Sequence, residues 1–300
     1  MPTLTGTIVA TVTPFRLGGR ELDLDWVPRH LAYLQSRGAD GVVPCGTNGE
    51  GPSLSVAERK ALIDAVLAHR QGLAVVAGTG FAALPDTIEV SRYAIERGAD
   101  GVMVVPPFYF KGLSLRGLFD YYAAVFRALP PESRVLLYNI PKFSGVEITD
   151  ALVEGLLQAF PRQLYGIKDT SGRPEQTAHY IQKFPKLRIY SGGDDLVLSG
   201  LRFGTAGVVT GVGNAFPHLI KAVQQAYASQ GDAEATQKRV SRVREVFRRY
   251  PEHSALKFAV SLVAGLPRVG VRPPLEELTT EQASALEKEL RALLPDVERA

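Results

Sequence analysis

Short apolar runs rich in valine and isoleucine recur along the first two thirds of the chain. Their apolarity is continuous rather than alternating, which is typical of parallel strands buried on both faces of a sheet. The pattern therefore predicts eight buried strands in this part of the molecule. The runs cover residues 7–12, 41–45, 74–78, 101–105, 135–138, 165–168, 188–191 and 207–210.

Segments with the period of an amphipathic helix separate these runs. The second of these segments begins with Ser55, and Glu58 follows three residues later, which is the arrangement of a capping box at a helix N-terminus. Strand and helix therefore alternate, as in a parallel α/β fold. The clearest helical segments are residues 26–36, 56–69, 88–97 and 118–128.

An internal repeat supports the alternation. The segment RGADGVVP at 37–44 returns as RGADGVMVVP at 97–106, with a weaker copy, FGTAGVVT, at 203–210. The first two copies start sixty residues apart, which fits two βα units of about thirty residues each. Eight units predict a closed (β/α)8 TIM barrel. An open doubly wound sheet more often stops at five to seven strands and carries a glycine fingerprint after its first strand, which the turn TVTPFRLGGR lacks.

After the eighth strand the pattern contains helices alone, at 217–229, 232–250, 253–264 and 280–294. The first of them closes the barrel, and the other three form a C-terminal three-helix appendage. We therefore expect a catalytic barrel over residues 1–230 and a C-terminal helical region over residues 231–300.

Composition and charge narrow the function to small-molecule chemistry. A net charge of +3 over 300 residues is too balanced for a nucleic-acid-binding protein. No apolar run is long enough to span a membrane, and the N-terminal segment lacks the charged start of a secretory signal. These features predict a soluble, cytoplasmic protein that binds neither nucleic acid nor membrane.

Several polar groups are interpreted as structural. Cys45 is the only cysteine, so it forms no intrachain disulfide, and its place in an apolar run predicts a small buried side chain. The five histidines have no ligand spacing, so no metal site is predicted. The helix at 232–250 carries a basic face, which is typical of a solvated outer surface. That face comprises Lys238, Arg239, Arg242, Arg244, Arg248 and Arg249.

Polar residues at the ends of barrel strands are candidates for chemistry, because TIM-barrel active sites lie at that face. Lys168 ends the sixth run, where partial desolvation favours the neutral, nucleophilic amine, although position alone is more typical of a solvated lysine. Tyr138 ends the fifth run, so its phenol can reach the same pocket and move protons, or it can be a core tyrosine.

A glycine-rich turn, GTNGEGPS at 46–53, follows the second strand. Its amide groups and the side chains of Thr47 and Asn48 suit a carboxylate, although the spacing alone is equally that of an ordinary βα turn.

Together the segments GTNGE, PPFYF, LLYNIP, GIKDTSG and SGGDD resemble the dihydrodipicolinate synthase and N-acetylneuraminate lyase superfamily, the class I pyruvate-dependent aldolases. The resemblance runs from about residue 6 to about residue 279. It implies a lyase that needs no metal or organic cofactor, acts on pyruvate with a small aldehyde or 2-oxo acid, and forms a homodimer or homotetramer.

The resemblance also implies roles for individual residues. Lys168 would form the Schiff base with pyruvate, and Tyr138 would relay protons. Thr47 would link Tyr138 to Tyr109, which family dimers insert from the neighbouring subunit. Thr47 and Asn48 would hold the carboxylate of pyruvate. The remaining predicted contacts are Gly193 and Val209, which would line the pocket.

Departures from the family pattern bear on the substrate. Synthases in this family usually carry arginine where this chain has Phe143, which lacks the guanidinium that would hold aspartate semialdehyde. Lys142 next to it is expected to point elsewhere. Asp194 and Asp195 suit the hydroxyls of a sugar-derived aldehyde, or they are acids that stabilise a helix start. Lysine feedback is not expected, since Val56, Arg59 and Ala82 replace its polar contacts.

Three hypotheses follow. The first is an aldolase for a 2-oxo-3-deoxy sugar acid. The second is a 4-hydroxy-tetrahydrodipicolinate synthase that condenses pyruvate with aspartate semialdehyde. The third is a non-catalytic 2-oxo acid binding protein on the same fold.

Overall fold

Eight parallel strands close into a barrel in the computed structural model, which describes residues 3–297. Each strand pairs with the next along the chain, and the eighth pairs with the first, so the fold is the predicted (β/α)8 TIM barrel. The strands are β1 (Gly6–Val9), β2 (Gly41–Val42), β3 (Ala74–Gly78), β4 (Gly101–Val104), β5 (Val135–Asn139), β6 (Leu164–Asp169), β7 (Arg188–Ser191) and β8 (Gly207–Thr210).

Helices follow the strands and cover the outside of the barrel. The helix after β3 begins four residues before the predicted start, because Pro85 occupies its first turn, where a missing N–H is tolerated. The helices are α1 (Trp26–Ser36), α2 (Val56–Ala68), α3 (Leu84–Glu96), α4 (Leu115–Arg127), α5 (Pro141–Ser144), α6 (Asp150–Ala159), α7 (Pro174–Lys183), α8 (Val197–Phe203), α9 (Pro217–Ala228), α10 (Ala233–Phe247), α11 (Glu252–Ala264) and α12 (Thr280–Val297).

The strands bury both faces, as their continuous apolarity predicts. In β5, Leu136 packs among side chains inside the barrel, whereas its neighbour Leu137 belongs to the core between barrel and helices. Burial of each such side chain contributes roughly 1.5–3 kcal/mol. Cys45 lies in this outer core, as predicted, and burial raises the pKa of its thiol to about 12, so it stays protonated.

The register of neighbouring strands places the candidate residues side by side. Tyr138 on β5 pairs with Lys168 on β6, and Lys168 pairs with Tyr190 on β7. The C-terminal ends of these strands therefore bring the phenol and the amine to the same edge of the barrel, which we call the mouth.

A separate apolar core joins α10, α11 and α12 to α8 and α9. The division at residue 230 stays a prediction, but α10 and α11 also reach the mouth of the barrel. Among the described residues, no helix combines the length and apolarity needed to cross a bilayer.

Candidate active site at the barrel mouth

A cavity of about 400 Å³ opens at the mouth of the barrel. Eight of the nine residues predicted to form the site line it, and Tyr109 is the exception. The eight are Thr47, Asn48, Tyr138, Phe143, Lys168, Gly193, Asp194 and Val209.

The Lys168 side chain is buried beside the cavity. It is 4% exposed, and its Nζ lies 4.2 Å from the centre of the Tyr138 ring. Within residues 3–297, no carboxylate forms an ion pair with it. A buried amine that faces a cavity without a counter-ion is suited to nucleophilic attack, because no ion pair has to be broken first.

The Tyr138 hydroxyl contacts the turn after β2. It lies 3.2 Å from Thr47 Oγ1, and either oxygen can donate the proton. Because both groups line the cavity, a proton can pass between a bound substrate and this pair of hydroxyls.

The turn that carries Thr47 and Asn48 folds tightly against β3. Cys45 adopts a left-handed conformation, with φ of 60°. Its carbonyl oxygen comes so close to Gly51 and Gly78 that a Cβ at either position would collide with it. The glycines therefore let the chain turn sharply and place Thr47 and Asn48 at the cavity rather than in the outer core.

Asp194 lines the cavity from the end of β7. Its carboxylate accepts hydrogen bonds from the Thr210 hydroxyl and from the Val212 amide, at 3.2 Å for the latter. Burial raises the pKa of this carboxyl above its ordinary value. Asp195 instead pairs with Arg248 at 2.5 Å. Both acids are thus held in place by the protein before any substrate binds.

Tyr109 does not reach the cavity of its own chain. Its side chain is 75% exposed and packs edge-to-face on Phe110. Its participation in a proton relay from a neighbouring subunit stays a prediction.

The structure corrects two sequence-based interpretations. Lys142 was expected to point elsewhere, but it lines the cavity beside Phe143. Both residues lie in α5, where successive side chains differ by about 100° rather than by the alternation of a strand, so both project over the mouth. Arg244 was assigned to a solvated face but is mostly buried, while Arg248 is exposed as predicted, and both line the cavity because α10 packs beside the mouth.

Sequence reasoning also missed cavity residues. The loop after β6 contributes Thr170, Ser171 and Gly172. Asp169 orders this loop by accepting hydrogen bonds from the Ser171 amide at 3.1 Å and the Thr177 hydroxyl at 2.6 Å. From the C-terminal side, α11 contributes Glu252 and His253.

Comparisons with known proteins agree on one family. The family model described as the dihydrodipicolinate synthetase family matches residues 3–293. An uncharacterized DapA-like lyase of Chloroflexus aurantiacus is 43% identical over 281 residues, with 94% of each chain covered. A 4-hydroxy-tetrahydrodipicolinate synthase of Sorangium cellulosum is 38% identical over 226 residues, which cover 75% of this chain and 74% of the relative.

Solved structures show the same similarity. KD(P)GA from T. tenax superposes with a TM-score of 0.89 at 27% identity, covering 97% of this chain and 99% of that one. The prophage protein YagE from E. coli K12, in complex with pyruvate, has a TM-score of 0.89 at 28% identity with the same coverage.

Proposed function

The chain belongs to the dihydrodipicolinate synthetase family, whose members are class I aldolases and lyases, and on this premise we propose that it cleaves or forms the C3–C4 bond of a 2-oxo-3-deoxy sugar acid. The products of cleavage are pyruvate and an aldehyde. The observation that carries the proposal is the buried, unpaired Lys168 amine against the ring of Tyr138.

The reaction begins when the neutral Lys168 amine adds to the C2 ketone. The carbinolamine loses water to give a protonated imine, and Tyr138 supplies the proton that the departing hydroxyl needs. The imine nitrogen then accepts the electron pair of the breaking C3–C4 bond, while the C4 hydroxyl gives its proton to the Tyr138 oxygen, which lost its own in the previous step, and becomes the aldehyde. Tyr138 passes this proton to C3 of the remaining enamine, and water then adds to the imine carbon, returns a proton to Tyr138, and releases pyruvate and the free amine.

The substrate carboxylate is assigned to the turn at Thr47 and Asn48. Both residues line the cavity on the side of Tyr138, and their backbone lies outside any helix or strand. Backbone amides and small polar side chains at such a turn are ordinary ligands of a carboxylate.

The polar character of the outer cavity favours a hydroxylated aldehyde. Asp195, Arg248, Glu252 and His253 line the wall contributed by the loop after β7 and the C-terminal helices. Asp195 and Arg248 pair with each other, and Glu252 pairs with Arg244, but these charged groups keep further donors and acceptors that several substrate hydroxyls can use. A small apolar aldehyde would use none of them.

Borohydride trapping tests the proposal. Wild-type protein is treated with sodium borohydride with and without pyruvate, and the peptide that bears Lys168 is identified by mass. We expect a pyruvate-dependent adduct on Lys168 alone. A panel of 2-oxo-3-deoxy acids is then assayed for pyruvate release. An adduct on another lysine, or none, contradicts the mechanism; an adduct without turnover supports the 2-oxo acid binding protein instead.

The synthase remains a second candidate because the relative from Sorangium cellulosum bears that name. Phe143 argues against it, since a phenyl ring lacks the bidentate guanidinium that would hold a second carboxylate, and Lys142 beside it supplies only a point charge. We expect Phe143→Arg to raise condensation with aspartate semialdehyde at least about tenfold relative to sugar-acid cleavage, because an arginine–carboxylate pair adds a charge-assisted contact. Phe143→Leu is the matched control. If the ratio of condensation to cleavage is the same in Phe143→Arg and Phe143→Leu, Phe143 does not decide between the two substrates.

The proposal also includes the quaternary structure. We propose a homodimer or homotetramer in which the exposed Tyr109 of one subunit approaches the Thr47–Tyr138 pair of its partner. Sedimentation of wild type and Tyr109→Ala, together with trapping rates, tests this arrangement. A monomer with full activity would contradict it.

A further inference from the structure

Helix α11 contacts the turn after β2 at two points. His253 donates from Nε2 to the carbonyl oxygen of Thr47 at 3.0 Å, and Lys257 forms a buried ion pair with Glu50 of the same turn. The two side chains are four residues apart, so they project from the same face of the helix. The turn is therefore held from outside the barrel, by residues about two hundred positions away in the chain.

We propose that His253 is a positioning residue that orients the amide of Asn48 toward the substrate carboxylate. The inference rests on the proposed function, because it concerns the same carboxylate. His253 acts through the backbone of the turn and not on the reacting atoms.

The argument starts from the planar peptide bond between Thr47 and Asn48. In a trans peptide the carbonyl and the N–H point in opposite directions. The Thr47 carbonyl accepts hydrogen bonds from the Glu50 amide at 3.0 Å and from His253. Two donors on one carbonyl fix the plane of the peptide, and so they also fix the direction of the Asn48 N–H.

The Asn48 amide is the group that remains available. Within residues 3–297, the Asn48 N–H donates a hydrogen bond to no backbone or side-chain acceptor. Thr47, Asn48 and His253 all line the cavity that contains Lys168. An amide that is held in place without an acceptor is suited to a carboxylate, because little reorientation is needed on binding.

Thr47 also contacts Tyr138, the residue proposed to relay protons. The Thr47 hydroxyl lies 3.2 Å from the Tyr138 hydroxyl, so a shift of the turn also changes that contact. Thr47 therefore makes both contacts, through its carbonyl with His253 and through its hydroxyl with Tyr138. Loss of His253 should therefore weaken substrate binding first, and disturb proton transfer less, since Tyr138 itself is anchored in β5.

The test compares two replacements of similar length. His253→Gln keeps an N–H donor near the position of Nε2, whereas His253→Met fills the space without a donor. His179→Gln, at an exposed histidine on α7 that pairs with Asp150, is the control. The readout is the pyruvate concentration that gives half-maximal borohydride trapping, measured beside the KM and kcat of cleavage and the Tm of each variant.

We expect His253→Met to raise the half-maximal pyruvate concentration and the KM about tenfold, with kcat changed less than threefold. His253→Gln should stay within threefold of wild type in all three, and the control should match wild type. If Gln and Met behave alike, the hydrogen bond plays no such role and the inference is overturned. If His253→Met does not fold, His253→Gln alone decides. A tenfold rise in its half-maximal pyruvate concentration overturns the inference, and a value within threefold of wild type supports it.

The two proposals fail in different ways. Absence of a trapped adduct in the wild-type protein refutes the Schiff-base function itself. Normal trapping on Lys168 in wild type, with equal pyruvate dependence in both His253 variants, refutes only the positioning role.

Discussion

Two buried lysines, one at the mouth of the barrel and one on helix α11, show that burial alone does not make an amine a candidate nucleophile. Lys168 is 4% exposed and Lys257 is 1% exposed. Lys257 forms an ion pair with Glu50 and donates to the Gly270 carbonyl at 2.6 Å. Both amines lie over an aromatic ring, Phe15 for Lys257 and Tyr138 for Lys168, but Lys168 faces an open cavity instead of a carboxylate.

The difference lies in the partners rather than in the burial. Desolvation lowers the pKa of Lys257, but Glu50 opposes that shift and gives the ammonium a fixed partner. Lys257 therefore joins α11 to the turn after β2 and is not available for attack. A buried amine becomes a candidate nucleophile when the fold provides a cavity beside it and no counter-ion.

Replacing Lys168 gives the sharpest test of this contrast. We expect Lys168→Met to lower kcat/KM at least about 10³-fold and to abolish trapping, because the covalent step is lost. The free energy of unfolding should change by less than about 1 kcal/mol, since no ion pair is broken. Turnover assays and urea denaturation measure both. A variant that keeps its activity would remove Lys168 from the mechanism.

Replacing Lys257 should have the opposite effect. We expect Lys257→Met to lower the free energy of unfolding by about 3–5 kcal/mol, because Glu50 would be left buried without its partner. The double variant with Glu50→Gln should recover most of the loss, since the remaining charge is removed. Urea denaturation of the three variants measures this. Equal destabilisation of the single and double variants would contradict the ion-pair explanation.

A third buried base, His30, extends the comparison to pH. Its ring donates from Nε2 to the Asn214 carbonyl at 3.1 Å, and burial lowers its pKa from 6.5 to about 4. The unfolded chain therefore binds a proton between these values that the folded chain does not bind. Stability falls as the pH drops from about 6.5 to 4, by up to about 3 kcal/mol.

The pH dependence is measured by urea denaturation at a series of pH values. In His30→Gln the amide can still donate to Asn214 but does not titrate, so the slope between pH 6.5 and 4 should be smaller than in wild type. An unchanged slope would assign the pH dependence to other groups.

Much of the barrel follows from local pattern. Strands that are buried on both faces must be continuously apolar, and β3, β7 and β8 have the predicted bounds. The second apolar run is longer than its strand, because the chain leaves the sheet after Val42 and turns at Cys45. Apolarity reports burial but not backbone conformation, so this turn could not be predicted from the pattern.

The sequence predicted the part of the candidate site whose geometry depends on the pairing of neighbouring strands. Lys168 and Tyr138 end consecutive strands, so their proximity follows from register. The wall formed by Arg244, Arg248 and His253 depends on how α10 and α11 pack, and sequence periodicity does not determine that packing. One pattern could have indicated it: His253 and Lys257 place two polar groups on one face of an otherwise largely apolar helix.

The pairing of β1 with β8 affects the order in which the barrel can form. Gly6 to Val9 are held on one side by β2 and on the other by residues 207–210. During synthesis the second edge of β1 stays unpaired until about two hundred further residues have been made. Closure is then a late contact with a large loop-entropy cost, and until it occurs the nascent chain exposes two strand edges to association with other chains.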